Sequence, residues 1–160
     1  MQLLRQLTGG LLEGGQLESR EILLRPGTNG VLGSTHECSH QGAGSTTLLL
    51  QSALPLLLFA PQDTTLLLRG GTDALTTCPP VDFTRFILLP FLKRHFGIEC
   101  DLHLRKRGFP SFGGGELSVE ISALKSPLKC ISLLERGDIT SFTAQIWTAR
   151  ESYEKVSISL

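Results

Sequence analysis

The sequence predicts a mixed α/β fold, alternating in its first part and α+β where its last strands run together, built on a β-α-β-α-β-β unit across residues 31–122. Three observations predict it. Strand-like and helix-like patterns follow one another in that order, each punctuated by glycine or proline. Two apolar helix candidates, Ala53-Leu-Pro55-Leu-Leu-Leu and Leu88-Leu-Pro90-Phe-Leu-Lys, carry a proline at the same place 35 residues apart, which marks a repeated unit. Composition supplies the core: 41 % of the 160 residues are hydrophobic, only 19 % are charged and only 6 % aromatic, so the interior is aliphatic and the chain folds.

Taken in order, residues 1–8 read as the last turns of a helix ended by Gly9-Gly10. This helix begins on an apolar face without a cap, and the chain therefore reads as a piece of something larger. Leu11-Leu12-Glu13 and residues 21–25 are short strands, separated by Gly14-Gly15 and stopped by Pro26-Gly27. Residues 28–44 are polar and glycine-bearing and leave the unit's first strand unplaced. Ser45 caps a helix over residues 46–60, and Pro61-Gln62-Asp63 is a turn. Residues 64–69 form a buried strand closed by Gly70-Gly71. A second helix opens at Pro79-Pro80, where a missing N–H does no harm. Its apolar positions Phe83, Phe86, Ile87, Pro90 and Phe91 recur at steps of three and four, and Gly97 ends it. Residues 98–105 and 116–122 are the last two strands, the second alternating through Leu117, Val119 and Ile121. Beyond Lys125-Ser126-Pro127, residues 130–135 and 139–147 are strand candidates.

Charge and hydropathy exclude several classes. Fifteen Lys and Arg balance fifteen Asp and Glu, so no global field draws in a polyanion and any nucleic-acid site is a local patch. The most apolar stretch, residues 46–60, is interrupted by Gln51, Ser52 and Pro55 and is shorter than the ~20 residues of a spanning helix. The first ten residues have no signal-peptide pattern. Cys38, Cys78, Cys100 and Cys130 are widely spaced and read as reduced thiols of an intracellular protein.

Few residues point to chemistry by spacing alone. Arg69-Gly-Gly-Thr-Asp73 lies at a strand end, where a glycine-rich loop brings backbone close to a ligand and Asp73 could bond it; a plain turn with a solvated Asp73 fits the same string. Neither it nor Gly113-Gly114-Gly115-Glu116 has the lysine of a phosphate loop. Between Arg85 and Arg107 six basic residues face two acidic ones, Glu99 and Asp101. That is either a phosphate-backbone patch, with the Arg105-Lys106-Arg107 run at its end, or a cationic helix terminus followed by a solvated strand end. Gln51 interrupts an apolar helix face with Leu48, Leu54 and Leu58, and is either a satisfied core amide or a ligand contact at a cleft. His36, Cys38 and His40 alternate, but no second cluster completes a tetrahedral metal set.

The whole string has a resemblance. Residues 42–60 (GAGSTTLLLQSALPLLLFA) resemble the second-repeat helix of RNA 3′-terminal-phosphate cyclases, and residues 69–83 (RGGTDALTTCPPVDF) their G-G-T-[DN] segment. Residues 107–116 (RGFPSFGGGE) are similar to their R-[HG]-[GY]-…-P-x-G-G-G-E stretch, and Leu134-Glu-Arg-Gly137 to their later E-R-G strand. The resemblance covers residues 11–147, about the middle half of the family's length.

What the resemblance implies is a fold of repeated β-α-β-α-β-β units, as in the cyclases and the EPSP-synthase-like proteins. Residues 1–27 would be the tail of a first repeat, 28–125 a second repeat, and 126–160 the start of a third repeat or of an inserted small domain. It implies an ATP-dependent enzyme that takes AMP onto a histidine and passes it to an RNA 3′-phosphate. The adjacent 2′-OH then displaces AMP to leave a 2′,3′-cyclic phosphate. ATP and Mg2+ are the implied cofactors, RNA 3′-phosphate ends the implied partner, and the nucleus the implied location, with the cytoplasm as alternative. Gln51 matches the family's nucleotide-contacting glutamine and Pro80 the proline that packs on adenine; Arg105, Lys106 and Arg107 would lie on the RNA side. The segment carrying the AMP-accepting histidine has no match, and none of His36, His40, His95 or His103 fits its motif. The expectation is therefore a chain that cannot complete the reaction alone; the alternative is a non-catalytic, RNA-binding relative of the kind that serves ribosome assembly.

Overall fold

The computed structural model describes residues 1–144 except 17, 41, 43, 74–76 and 111. The chain divides into two units, Met1–Cys130 and Ile131–Leu160. The first opens with helix α1 (Gln2–Thr8), which ends where Gly9 turns left-handed at φ 57° and the N–H groups of Gly9 and Gly10 return to the carbonyls of Gln6 and Arg5. Strands β1 (Leu11–Glu13) and β2 (Leu23–Arg25) pair antiparallel with Leu12 opposite Leu24.

The main sheet has four strands in the order β3-β4-β6-β5. The first, β3 (Thr35–Ser39), lies in the stretch the sequence left unplaced. Its alternation is hidden because the inward residues are His36 and Cys38 rather than aliphatics. From β3 the chain runs through α2 (Thr46–Leu57) to β4 (Thr64–Gly70), which pairs parallel to β3. It returns through α3 (Val81–Phe83), a π-helical turn (Thr84–Leu88) and α4 (Leu89–Phe96). Strands β5 (Cys100–Lys106) and β6 (Gly115–Ile121) close the sheet, with β6 antiparallel to both β4 and β5. The order of elements is the β-α-β-α-β-β of a mixed α/β fold, and none of the helices among the described residues is long and apolar enough to cross a membrane.

Local chemistry sets the helix ends. Ser45 Oγ accepts the Leu48 N–H at 3.3 Å, the capping bond its position predicts. Gly97, at φ 68°, ends α4 and sends its N–H back to Lys93. The π turn lies just ahead of a proline. Pro90 has no N–H to give and its ring would clash with the carbonyl four residues back; ahead of it the ladder widens, and Leu89 N–H reaches Thr84 five residues back.

One apolar cluster forms the core. Leu66 and Leu68 of β4, Leu102 of β5 and Leu117, Val119 and Ile121 of β6 meet Leu50, Ala53, Leu54 and Leu57 of α2. Leu3 and Leu7 of α1, Val81 and Leu89 join the same cluster. Each such side chain taken fully from water contributes about 1.5–3 kcal/mol.

The other face of the sheet is polar. Glu37, Arg69, Glu116 and Arg105 stand on four neighbouring strands and alternate in sign: Arg69 pairs with Glu37 and, at 3.8 Å, with Glu116, which also lies 3.7 Å from Arg105.

Two expectations are corrected. Residues 130–135 are not a strand, and neither are residues 139–144 of the second candidate, whose last three residues fall outside the described set. No backbone ladder reaches either stretch among the described residues, and without a partner strand a run of apolar residues makes no sheet.

Candidate nucleotide and RNA site

Parallel strands β3 and β4 end side by side, and helices α2 and α3 start at that same end, where open α/β sheets form ligand crevices. Backbone bonds fix the junction. Gly71 N–H donates to Gly44 at 2.7 Å and Thr46 N–H to Gly71 at 2.9 Å, while Val81 N–H donates to Thr72 at 3.0 Å. Thr47 Oγ1 donates to the Pro79 carbonyl at 2.7 Å, tying the first turn of α2 to the residue before Pro80.

The glycines here are needed for closeness. A Cβ on Gly108 would fall on the Gly115 nitrogen and the Gly70 carbonyl oxygen, and one on Gly115 would lie 2.7 Å from the Gly108 nitrogen. The G-G-T-D loop and the R-G segment thus cross backbone to backbone. Thr72 and Asp73 N–H both donate to the Gly108 carbonyl, at 2.9 and 3.0 Å, and Gly108 N–H donates to Thr72 Oγ1 at 3.0 Å.

Gln51 is exposed, one turn beyond Thr47 on α2. It is not the core amide that one reading of its helix face allowed. It lines a small cleft of about 110 Å³ between α2 and the α3–π segment, together with Thr47, Leu54, Pro79, Phe83 and Leu88. Pro80 is exposed at the cap of α3, with φ −65° and ψ 156°, immediately after the Pro79 of the cleft wall. Whole ligand pockets occupy roughly 300–1,000 Å³. The cleft is smaller than such a pocket.

The basic run divides. Arg105 is exposed and pairs with Glu116, and Lys106 is exposed with no ion pair among the described residues. Arg107 turns inward: one guanidinium nitrogen donates to both Asp73 oxygens at 3.3 and 3.2 Å, the other to both Asp82 oxygens at 2.9 and 2.7 Å. Asp73 is therefore not the solvated turn residue of the plainer reading, since its side chain is 15 % exposed and Thr72 Oγ1 also donates to it at 2.7 Å. Elsewhere in the patch Lys93 pairs with Glu99 at 2.7 Å and Arg85 lies over the Phe86 ring at 5.1 Å.

Sequence reasoning missed Asp82, Thr72 and Thr47. Thr47 left a signal, standing four residues before Gln51 on the same helix face. Asp82 left only its place in the first turn after two prolines.

No group of three His, Cys, Asp or Glu side chains converges among the described residues, and Asp73 and Asp82 are both taken up by Arg107. These residues form no divalent-cation site of their own. His36 is buried, with Nε2–H donating to the Leu32 carbonyl at 2.8 Å, so it is a core histidine. The four cysteines are free thiols. Burial, and then the Asp101 charge, push the Cys100 thiol up to about 12.

Against this geometry, a family model described as RNA 3′-terminal phosphate cyclase matches residues 1–150. A curated RNA 3′-terminal phosphate cyclase of Desulfurococcus amylolyticus is 32 % identical over 142 residues, which cover 89 % of this chain and 39 % of that relative. The chain therefore spans about two fifths of the length of the relative it matches. On its match over nearly all its residues, the chain belongs to the RNA 3′-terminal phosphate cyclase family.

Proposed function

We propose that this chain carries the nucleotide-contacting part of an ATP-dependent RNA 3′-terminal-phosphate cyclase, with Gln51 and Pro80 as its adenine-nucleotide contacts. The observation that carries the reading is the cleft between α2 and the start of α3, which an exposed Gln51 and the Pro79 adjoining Pro80 both border at the strand ends. Its walls, Leu54, Phe83 and Leu88, suit the face of a base, and the Gln51 amide offers both a donor and an acceptor to its edge. Arg105 and Lys106, exposed at the end of β5, are the cations offered to an RNA 3′-phosphate end. In repeat terms, 28–125 is one unit, 1–27 the tail of a preceding one and 126–160 the start of the next. When ATP is bound it supplies the AMP that turns the 3′-phosphate into an electrophile for the neighbouring 2′-OH. What these residues contribute is grip and orientation of the base. His36, His40, His95 and His103 are not assigned the nucleotide-accepting role.

Calorimetric titration of the chain with ATP, beside Gln51→Ala and Pro80→Ala, tests this. Both residues are exposed, so both variants fold and both bind more weakly; affinities equal to that of the unaltered chain overturn the assignment. Incubation with labelled ATP and magnesium, read on a denaturing gel, is expected to leave no protein-bound AMP, and a labelled band overturns the exclusion of the four histidines.

A further inference from the structure

We propose that Arg107 is a positioning residue for the nucleotide contacts, acting through Asp82 and Asp73 rather than on a phosphate. The proposal rests on the reading of Gln51 and Pro80 above.

Three segments distant in the chain meet at this side chain: the loop after β4, the first turn of α3 and the exit of β5. Arg107 is 18 % exposed, and its two carboxylate partners are 15 % and 21 % exposed. A guanidinium is planar, permanently charged and presents its N–H groups in a fixed fork. Here each side of that fork is given to a different carboxylate, so the position of Asp82 is set relative to Asp73. Asp82 lies two residues after Pro80, in the short helix that Pro80 caps. Asp73 is the neighbour of Thr72, whose carbonyl takes the Val81 N–H at 3.0 Å and whose hydroxyl donates to Asp73 at 2.7 Å. Both routes from Arg107 thus lead to the backbone just after Pro80, one to the Val81 N–H and the other to Asp82. On the far side of the cleft, Thr47 holds Pro79 from α2, the helix that presents Gln51.

Charge separates this role from that of a phosphate contact. Two carboxylates already stand within hydrogen-bond distance of this guanidinium, so a phosphate approaching it would meet two like charges. Among the described residues Arg105 and Lys106 have no such double engagement. Removing Arg107 leaves two poorly solvated carboxylates without their shared cation, and the start of α3 shifts to separate or hydrate them.

The experiment uses the whole chain and compares it with Arg107→Ala, Arg107→Lys and the double variant Arg107→Ala/Asp82→Asn. Amide hydrogen exchange at Asp73, Val81 and Gly108 reads the clamp, with the Leu66 and Leu68 amides of β4 as the measure of intact folding. ATP titration reads the consequence. In Arg107→Ala the three clamp amides exchange at least about tenfold faster while β4 is unchanged, and ATP binding weakens at least about tenfold, a change of about 1.4 kcal/mol. The double variant recovers part of both losses because it removes one unpaired charge. Arg107→Lys recovers less than full binding, since an ammonium cannot fork. If Arg107→Ala unfolds β4, the same comparisons are made on Arg107→Lys.

Unchanged exchange at Asp73 and Val81 overturns the clamp. Faster exchange with full ATP affinity overturns the positioning role. A loss that Asp82→Asn does not rescue, with a shallower salt dependence of binding to a 3′-phosphorylated RNA, makes Arg107 a phosphate contact and overturns the proposal. An unaltered chain that binds no ATP overturns the reading of Gln51 and Pro80, and with it the nucleotide half of this proposal; the exchange arm then decides the clamp alone.

Discussion

Thr46 gives both of its donors to one acceptor: its backbone N–H and its Oγ1 each lie 2.9 Å from the carbonyl oxygen of Gly71. Thr46 is fully buried, so the first residue of α2 is fastened to the loop after β4 by two bonds inside the core. Replacing Thr46 by Val keeps the shape and removes one bond. Because the N–H still satisfies Gly71, the expected loss is only about 1 kcal/mol. Urea unfolding checks it: a lower midpoint with an unchanged slope is the outcome, and an unchanged midpoint refutes it.

Two glycine-to-alanine changes separate two kinds of glycine. At Gly108 the new methyl collides with backbone of β4 and β6, which cannot yield without parting the sheet. The expected cost is about 3 kcal/mol, at the upper end of overpacking penalties. At Gly97 the φ is +68° but no atom lies within 4 Å of the new Cβ, so only conformational strain is added. That cost is about 1–2 kcal/mol. Thermal unfolding of the pair should rank Gly108→Ala well below Gly97→Ala, and the reverse order refutes the crossing of the two loops.

Cys100 gives a pH dependence of definite sign. Its folded-state pKa of about 12 stands above the ordinary value of 9.0, because burial disfavours the thiolate. The unfolded chain loses this proton first as pH rises. Stability from this group is thus complete below pH 9.0 and is lost as pH climbs towards about 12. Cys100→Ser should flatten the decline in that window. At pH 8 an alkylating reagent should modify exposed Cys130 and spare Cys100, as mass spectrometry of the peptides would reveal.

The charged row on the sheet's outer face is expected to matter little to stability. Arg69, Glu37 and Arg105 are about half exposed or more, and Glu116 is a third exposed. Glu116→Gln should cost no more than about 1 kcal/mol in unfolding experiments, and less in high salt.

Much of the fold was legible where one residue acts on its immediate neighbours. Ser45 capping Leu48 and Gly97 ending α4 are effects of three or four residues' reach. Strand β3 was not legible, because its inward positions are His36 and Cys38, and a buried histidine held by the Leu32 carbonyl looks in sequence like a metal ligand. In β4 the unbroken run of Leu66, Leu67 and Leu68 hid which residue faces outward; register with β6 decides it. For the site, Gln51 stood out as a polar residue on an apolar helix face, whereas Pro80 was singled out as a contact only by resemblance. Arg107 was read as one of three equivalent cations because Asp73 and Asp82 are 34 and 25 residues away, and nothing local announces such a contact.

The widened turn at Thr84–Leu88 also has a meaning in chain length. A π turn holds one residue more than the α-helix it interrupts, so this helix stores a single-residue insertion just ahead of Pro90. Deleting one residue there would return the segment to a regular ladder with Pro90 inside it, the arrangement that α2 already has around Pro55. Pro55 stands at the same place in α2 with no widened turn before it, so a proline there does not by itself demand the extra residue, and the length of this helix is set independently of position 90.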